Sequence, residues 1–191
     1  MNRLAVATGI LALAAPLALA QTSTWVSDPA HSEVDFSITH MSISNVHGRF
    51  GKVNATINYN EADVTKSTVA AMIDVSTLDT GEPARDTHVK SPDFFDAANL
   101  STATFTSTSV AKSGTTLTIT GNLTLHGVTK PVVLTATGPA GPVPGMDHKP
   151  HAGFSATTTI SRTAFNIGSK FPAAIVGDDV KLDIELEVVK Q

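Results

Sequence analysis

The sequence predicts a mainly all-β fold, in which eight antiparallel strands form a closed barrel with one short helical insertion. Eight segments alternate apolar and polar residues with a period of two, which is typical of strands that bury one face. Consecutive segments mostly lie within hairpin distance, which favours antiparallel neighbours. Several segments reach ten or more residues, and long tilted strands are typical of a barrel. A sandwich of two sheets is the structural alternative.

The predicted strands follow one another along most of the chain. Their approximate bounds are 32–38, 49–59, 67–76, 102–110, 115–125, 128–138, 153–163 and 178–190. The first strand follows a turn that begins at Asp28-Pro29. Residues 40–46 interrupt the alternation and are expected to form a short helical turn. The last strand is among the clearest, because charged residues occupy nearly every second position and must face water.

Residues 116–137 carry a strong hairpin signal. Two alternating segments flank His126-Gly127, and both residue types accept the positive φ angles of a two-residue turn. With that turn, the predicted register pairs apolar residues with one another: Leu125 with Val128, Ile119 with Leu134, and Leu117 with Ala136. A slip by one residue would place the two apolar sets on opposite faces.

Residues 80–99 are predicted to contain the helical insertion. Thr80 or Gly81 is the expected N-cap, and Pro83 suits an early helical position. Ser91-Pro92-Asp93 reads as a second helix start. Phe94 and Phe95 follow it directly, and their rings are expected to pack over the core as a plug.

Residues 138–153 are predicted to form a long exposed loop. They contain four Pro and four Gly, which argue against a helix or a central strand.

The first twenty residues are predicted to be a secretory signal peptide that is not part of the fold. Arg3 precedes an apolar run from 4 to 17, and Ala18-Leu19-Ala20 matches a small-x-small cleavage site. Cleavage after Ala20 would leave residues 21–191 as one domain. An N-terminal membrane anchor is the alternative.

The composition excludes some classes of partner. The formal net charge is −4 and there is no basic run, which argues against nucleic acid. No second apolar run of about twenty residues follows the first, so no stable membrane insertion is expected after cleavage. The chain has no cysteine, so the core must stabilise the fold without disulfides.

The residues predicted to point inward are mostly of medium size. An eight-stranded barrel is either filled by its side chains or holds one small ligand. Gly121 and several alanines lie where a packed barrel would need bulk, which suggests a long apolar tunnel for a hydrophobic small molecule. A structural protein with a solid interior is the alternative, since small residues also occur where a barrel wall curves. The candidate tunnel residues are Phe36, Ile38, Val53, Ala55, Ile57, Val69, Ala71, Ile73, Phe94, Phe95, Phe105, Leu117, Ile119, Gly121, Val132, Leu134 and Phe154.

Four stretches, in this order, are distributed over nearly all of the mature chain. They are D-P-A-H-S-E-V-D-F-S-I-T-H-M (28–41) with V-H-G-R-F (46–50), R-D-T-H-V-K-S-P-D-F-F-D (85–96), G-N-L-T-L-H-G-V-T-K-P-V (121–132) and I-S-R-T-A-F-N-I (160–167). Together they resemble the motifs of the YceI-like family.

That resemblance implies a lipocalin-like extended barrel exported to the bacterial periplasm. It also implies that the barrel binds a polyisoprenoid or a similar long amphiphile, such as an isoprenoid quinone or a fatty amide, for transport, storage or a stress response. No catalytic residue and no cofactor other than such a bound lipid or quinone is implied. Members of the family are often dimers, so a homodimer is a further expectation.

Four basic residues are candidates for the ligand head group: Arg49, Arg85, His88 and Arg162. A buried phosphate or carbonyl needs a hydrogen-bond donor, and the guanidinium of Arg can donate two parallel hydrogen bonds. Arg85 and His88 would share a helix face beside the phenylalanine plug. Surface ion pairs with nearby aspartates are the alternative use of these side chains.

Catalysis and metal binding are not expected. Asp28, His31, Ser32 and His40 could suggest a Ser/His hydrolase, but the G-x-S-x-G elbow is missing, and hydrogen bonds within a turn explain them better. The spacing His148-x-x-His151 lies in the Pro- and Gly-rich segment and does not match a zinc motif.

Overall fold

The structure, a computed structural model, describes residues 22–191. Its strands are β1 (Thr22–Ser27), β2 (Glu33–His40), β3 (Ser44–Phe50), β4 (Asn54–Asn60), β5 (Thr68–Asp74), β6 (Thr102–Ser113), β7 (Thr116–Leu125), β8 (Val128–Pro144), β9 (Pro150–Ser161) and β10 (Val176–Lys190). One α-helix, α1 (Pro83–Lys90), and 3₁₀ turns at Val64–Lys66, Val75–Thr77 and Thr163–Phe165 complete this part of the chain. Within it, no helix has the length and apolarity needed to cross a bilayer. The signal peptide predicted for residues 1–20 lies outside the described residues.

The strands form one closed antiparallel barrel. The sheet closes because β1 pairs with both β4 and β10. β1 and β2 lie one after the other along the same edge of β10, and β3 and β4 likewise pair with β2 and β1. The ten strands therefore form eight composite strands, and the predicted eight-stranded barrel is confirmed. β1 was not among the predicted strands.

The hairpin of β7 and β8 has the predicted register. Leu125 lies opposite Val128, and every other predicted apolar pair is present. His126 and Gly127 both have positive φ angles, at 50° and 72°. Nδ1 of His126 lies 3.1 Å from the carbonyl oxygen of Phe165, which holds this turn against the Thr163–Phe165 segment.

The helical turn predicted for residues 40–46 is wrong. β2 continues to His40, and Met41 and Ser42 turn the chain with positive φ angles before β3 begins. Phe36 in β2 lies opposite Gly48 in β3, and its ring occupies the space that a Cβ at Gly48 would need. The alternation is hard to see in this segment because a glycine replaces an apolar residue.

The long loop predicted for residues 138–153 is also wrong. β8 continues to Pro144 and β9 starts at Pro150, so the connection is a short turn. The β8–β9 register shifts between Thr137 and Ala140 and again between Ala140 and Val143. Such bulges accept residues without an N–H donor, which is why the prolines do not end the strand.

The helical insertion is shorter than predicted. Glu82 is the N-cap of α1, in place of Thr80 or Gly81, and its side chain accepts a hydrogen bond from Ala84 N at 3.3 Å. Pro83 occupies the first helical position, and an early helical position was expected for it. Ser91-Pro92-Asp93 begins a series of turns, and no second helix forms.

The chain between β5 and β6, which contains α1, covers one end of the barrel beside β3. Within the described residues, β3 has a strand ladder only with β2. An isolated bridge, Arg49 to Asp79, joins its other edge to this covering segment. The ring of Phe95 in the segment packs edge-on against Phe50 at 5.8 Å between centroids. Side-chain packing therefore completes the wall where the ladder ends.

Candidate functional site

The barrel contains two adjoining apolar cavities. The larger, about 330 Å³, lies beneath α1 at the end of the barrel where β10 begins. The smaller, about 130 Å³, extends towards the other end. Val34, Ile73, Leu123 and Leu182 border both cavities, so the two are consecutive parts of one interior. The solid interior that was the alternative is not observed.

Most of the predicted tunnel residues border these cavities. The larger cavity is bordered by Phe36, Ile38, Ile73, Phe94 and Phe95. The smaller is bordered by Val53, Ile57, Val69, Ala71, Ile73, Phe105, Leu117, Ile119, Val132, Leu134 and Phe154. Val53, Phe94 and Phe95 lie outside the strands. The other residues alternate along their strands, so their side chains share the inner face of the wall.

Ala55 and Gly121 lie away from both cavities. Ala55 is buried, and its N–H is hydrogen-bonded to Ser27 Oγ at 2.8 Å. Gly121 leaves no empty space, because the ring of Phe105 lies across it. A Cβ at Gly121 would lie 2.6 Å from the carbonyl oxygen of Thr106. The prediction that Gly121 widens the tunnel is therefore wrong.

The sequence patterns did not identify one wall of the larger cavity. Ile167, Phe171 and Ile175 border it from the irregular chain that leads into β10, and Val176 borders it from the first position of β10. Phe171 stacks on Phe94, with 4.8 Å between ring centroids and 11° between planes. The only signal for this wall was the presence of apolar residues in a segment without periodicity.

Arg85 lies at the cavity wall and is held in position by its neighbours. Its Nε donates to Thr80 Oγ1 and its Nη2 to the Thr80 carbonyl, both at 2.8 Å. Thr80 donates in turn to Asp86 Oδ1 from its hydroxyl, at 2.5 Å, and from its N–H, at 2.8 Å. Desolvation by burial acts to raise the pKa of Asp86, but the hydrogen bonds from Thr80 and the charges of Lys90 and Arg85 together outweigh it, and the pKa is lowered. The remaining N–H groups of Arg85 make no hydrogen bond to another described residue.

His88 is on the same cavity wall as Arg85, one helical turn away. Its ring packs edge-on against Phe94 at 5.2 Å and Phe171 at 5.9 Å. Its Nε2 lies 3.3 Å from Asp93 Oδ2, and Asp93 also forms an ion pair with Lys170. The hydrogen bond from Lys170 is the main reason why the pKa of Asp93 is lowered. Arg85 and His88 therefore lie together, as their spacing predicted.

Arg162 also borders the larger cavity, but all of its donors are occupied. Its side chain is only 2 % exposed. Its five N–H groups donate to five backbone carbonyls, those of Ile167, Gly168, Phe171, Val176 and Gly177, at 2.7–2.9 Å. The head-group role predicted for Arg162 is therefore wrong, because Arg162 fixes the irregular cavity wall and has no donor left for a ligand.

Arg49 borders neither cavity. Its side chain is exposed and lies 3.5 Å from Asp79 and 3.8 Å from Glu33 in surface ion pairs. The structure thus leaves Arg85 and His88 as the head-group candidates.

The residues considered for a hydrolase do not form a nucleophilic triad. Ser32 is buried, and its hydroxyl is hydrogen-bonded to the backbone N–H and carbonyl of Glu187, both at 3.2 Å. Nδ1 of His31 lies 2.9 Å from Asp28 Oδ2. His40 lies at the rim of the larger cavity, at the far end of β2. The hydroxyl of Ser32 stabilises the turn and is not paired with an imidazole.

The fold and its interior define a class of protein, a closed antiparallel barrel with an apolar cavity under a short helical cover. Residues 25–188 match the family model of the YceI-like domain. The chain belongs to the YceI-like family, as its motifs indicated.

Similar proteins cover nearly the same length. A UPF0312 protein of Vibrio vulnificus is 37% identical over 194 residues, which span 98% of this chain and 97% of that protein. The crystal structure of Burkholderia cenocepacia BcnA has a TM-score of 0.75 and 27% identity, over 84% of this chain and 98% of that one. A polyisoprenoid binding domain from Saccharophagus degradans has a TM-score of 0.65, over 90% of this chain and 100% of that domain, with 16% identity, which shows a shared fold.

Proposed function

We propose that this protein binds one long apolar or amphiphilic molecule inside its barrel and does not alter it chemically. The supporting observation is the pair of adjoining cavities, whose combined wall is almost entirely apolar. The larger cavity alone has the size of a small-molecule site. Each CH₂ group moved from water into such a cavity contributes about 0.8 kcal/mol. A polyisoprenoid, an isoprenoid quinone or a fatty amide meets these requirements.

In this proposal the hydrocarbon tail occupies the cavities and the polar head lies beside Arg85. The unused N–H groups of Arg85 would donate to a phosphate, a carboxylate or a carbonyl oxygen. His88 would border the same head group from the next turn of α1. The similarity in fold to the polyisoprenoid binding domain of Saccharophagus degradans supports an isoprenoid as the first candidate.

The proposed location is the periplasm. The apolar run and cleavage site in residues 1–20 support export. There the protein would carry or store its ligand or take part in a stress response. Detection of the mature N-terminus at Gln21 in a periplasmic extract would test this location, and a protein retained in the cytoplasm with an intact Met1 would contradict it.

The ligand is tested by extraction. Protein purified without detergent is extracted with organic solvent, and the extract is analysed by mass spectrometry. We expect about one apolar molecule per chain. Protein that carries no stoichiometric lipid, and that also fails to bind an added isoprenoid quinone or fatty amide, would contradict the proposal.

A further inference from the structure

A second cluster of polar side chains lies on the outside of the barrel, near the end of β10 that is remote from α1. Asp28 and His31 belong to the turn between β1 and β2, and Glu187 belongs to β10. One carboxylate oxygen of Asp28, one of Glu187 and a ring nitrogen of His31 all lie within 4.8 Å of one another. This cluster takes no part in the proposed lipid binding.

The backbone holds the three residues in place. Asp28 N donates to the Glu187 carbonyl at 2.8 Å, and the Ser32 hydroxyl makes two further hydrogen bonds to the backbone of Glu187. Asp28 Oδ1 accepts a hydrogen bond from Ala30 N at 2.9 Å, which leaves Oδ2 facing His31. These hydrogen bonds fix the turn to β10, so the backbone that carries the three side chains of the cluster is held in place.

A neighbouring histidine orients Glu187. Nδ1 of His151 lies 2.7 Å from Glu187 Oε1, and its Nε2 lies 3.0 Å from Asp147 Oδ1. Both partners are carboxylates, so both ring nitrogens of His151 must act as donors. Carboxylates that bind metals are usually oriented by such an outer hydrogen bond.

The space beside the cluster is open. Gly153 lies opposite Glu187 across the β9–β10 ladder and has no side chain to cover it. A surface groove of about 540 Å³ has His31 and Glu187 in its wall. A bound ion would therefore have room for water or for a second ligand.

We propose that Asp28, His31 and Glu187 form a binding site for a divalent transition-metal ion such as Zn²⁺. One imidazole nitrogen and two carboxylate oxygens are a ligand set that Zn²⁺ accepts, and the open position suits a water molecule. Zinc bonds of about 2.0–2.2 Å place neighbouring ligand atoms about 3.3 Å apart, so small side-chain rotations bring these three atoms into range. To bind the ion, His31 must be a neutral imidazole whose ligating nitrogen carries no proton, so its one ring proton lies on the other nitrogen.

The test is isothermal titration calorimetry, in which zinc chloride is added to tag-free protein in a buffer that does not bind metals. We expect one ion per chain, with at least about tenfold weaker binding in His31→Ala and in Glu187→Gln, since each removes one of three ligands. His47→Ala is the matched control, because His47 is an exposed histidine on β3 outside the cluster, and its affinity should equal that of the wild type.

A Co²⁺ titration supplies a second, spectroscopic readout of the ligands around the ion. The visible absorption of bound Co²⁺ should lose intensity in His31→Ala and remain in His47→Ala. Each variant is first checked for a wild-type melting temperature. No binding of Zn²⁺ by the wild type, or equal binding by His31→Ala, Glu187→Gln and the wild type, would overturn the proposal. The lipid extraction described above does not depend on this result.

Discussion

The phenyl ring of Phe105 on β6 lies across the backbone of Gly121 on β7. An aromatic ring that covers a glycine on the neighbouring strand protects the ladder and fills the space of the missing side chain. Phe36 and Gly48 repeat this arrangement on β2 and β3. Both glycines are therefore packing positions of the barrel wall.

We expect Gly121→Ala to destabilise the fold by about 1–3 kcal/mol, because the new methyl group meets the Phe105 ring and the Thr106 carbonyl. The Thr106 oxygen belongs to the backbone and cannot move aside easily. Gly51→Ala is the control, since nothing lies within 4 Å of a Cβ there, and it should change stability by less than about 0.5 kcal/mol. Urea unfolding measures both, and equal midpoints would contradict the expected clash.

Ala71→Phe should reduce the lipid content of the purified protein. Ala71 borders the smaller cavity, and a phenyl ring there occupies space that the ligand tail would fill. We expect at least about a tenfold loss of affinity for the lipid, which corresponds to about 1.4 kcal/mol of binding free energy, and therefore less bound lipid. Ala70→Phe makes the same change on the exposed face of β5 and should keep the lipid. Mass spectrometry of the two extracts compares them directly, and equal lipid content would place the ligand elsewhere.

Arg85→Gln should weaken the binding of an amphiphile with an anionic head and spare that of its uncharged analogue. A hydrogen bond to a charged group contributes about 1.5–3 kcal/mol, so we expect at least about a tenfold loss of affinity for a fatty acid. Arg49→Gln removes an exposed arginine from the same end of the barrel and should have no effect. Fluorescence titration with matched acid and alcohol ligands measures the difference. An equal loss for acid and alcohol would instead indicate a damaged cavity.

Arg162→Lys should destabilise the protein by at least about 3 kcal/mol. Lysine cannot reach the five carbonyls that the planar guanidinium satisfies, so several buried acceptors lose their partner. Arg49→Lys at the exposed site should change stability by less than about 0.5 kcal/mol. Chemical unfolding checks both variants, and a stable Arg162→Lys protein would show that this network contributes little.

Asp178 should make stability depend on pH in the acid range. Hydrogen bonds from Ser161 and Thr163, both at 2.6 Å, lower its pKa below the ordinary 3.8. A lowered pKa stabilises the fold above pH 3.8, and that stability is lost as the pH falls through the lowered value. Asp178→Asn should therefore melt at a lower temperature than the wild type at pH 7. The difference should shrink below pH 3.8, and a constant difference between pH 7 and pH 3 would contradict this role.

Features that depend on neighbouring residues were well predicted from the sequence. The register of β7 and β8 follows from alternation on both sides of a two-residue turn, and a slip would expose the apolar face. The closed barrel follows because each alternating strand needs another apolar face to cover it. In both cases a local alternation of apolar and polar residues determines how the strands are arranged.

Features that depend on distant residues could not be predicted in this way. The prolines of residues 138–144 indicated a loop, yet the bulged pairing with β9 keeps them in a strand. Nothing near Arg162 in the sequence shows that its donors reach carbonyls as far away as Gly177. Likewise, Glu187 meets Asp28 and His31 only because the barrel closes.

At the junction of β3 with the helical cover, a single bridge between Arg49 and Asp79 replaces the ladder of hydrogen bonds found elsewhere in the described barrel wall. Every other neighbouring pair of strands is held by a ladder of hydrogen bonds that must break one after another. Here two backbone hydrogen bonds, the ion pair between Arg49 and Asp79 and the contact between Phe50 and Phe95 join the cover to the wall. A molecule too long to enter through a fixed opening could pass sideways along this line, while the rest of the barrel keeps its shape.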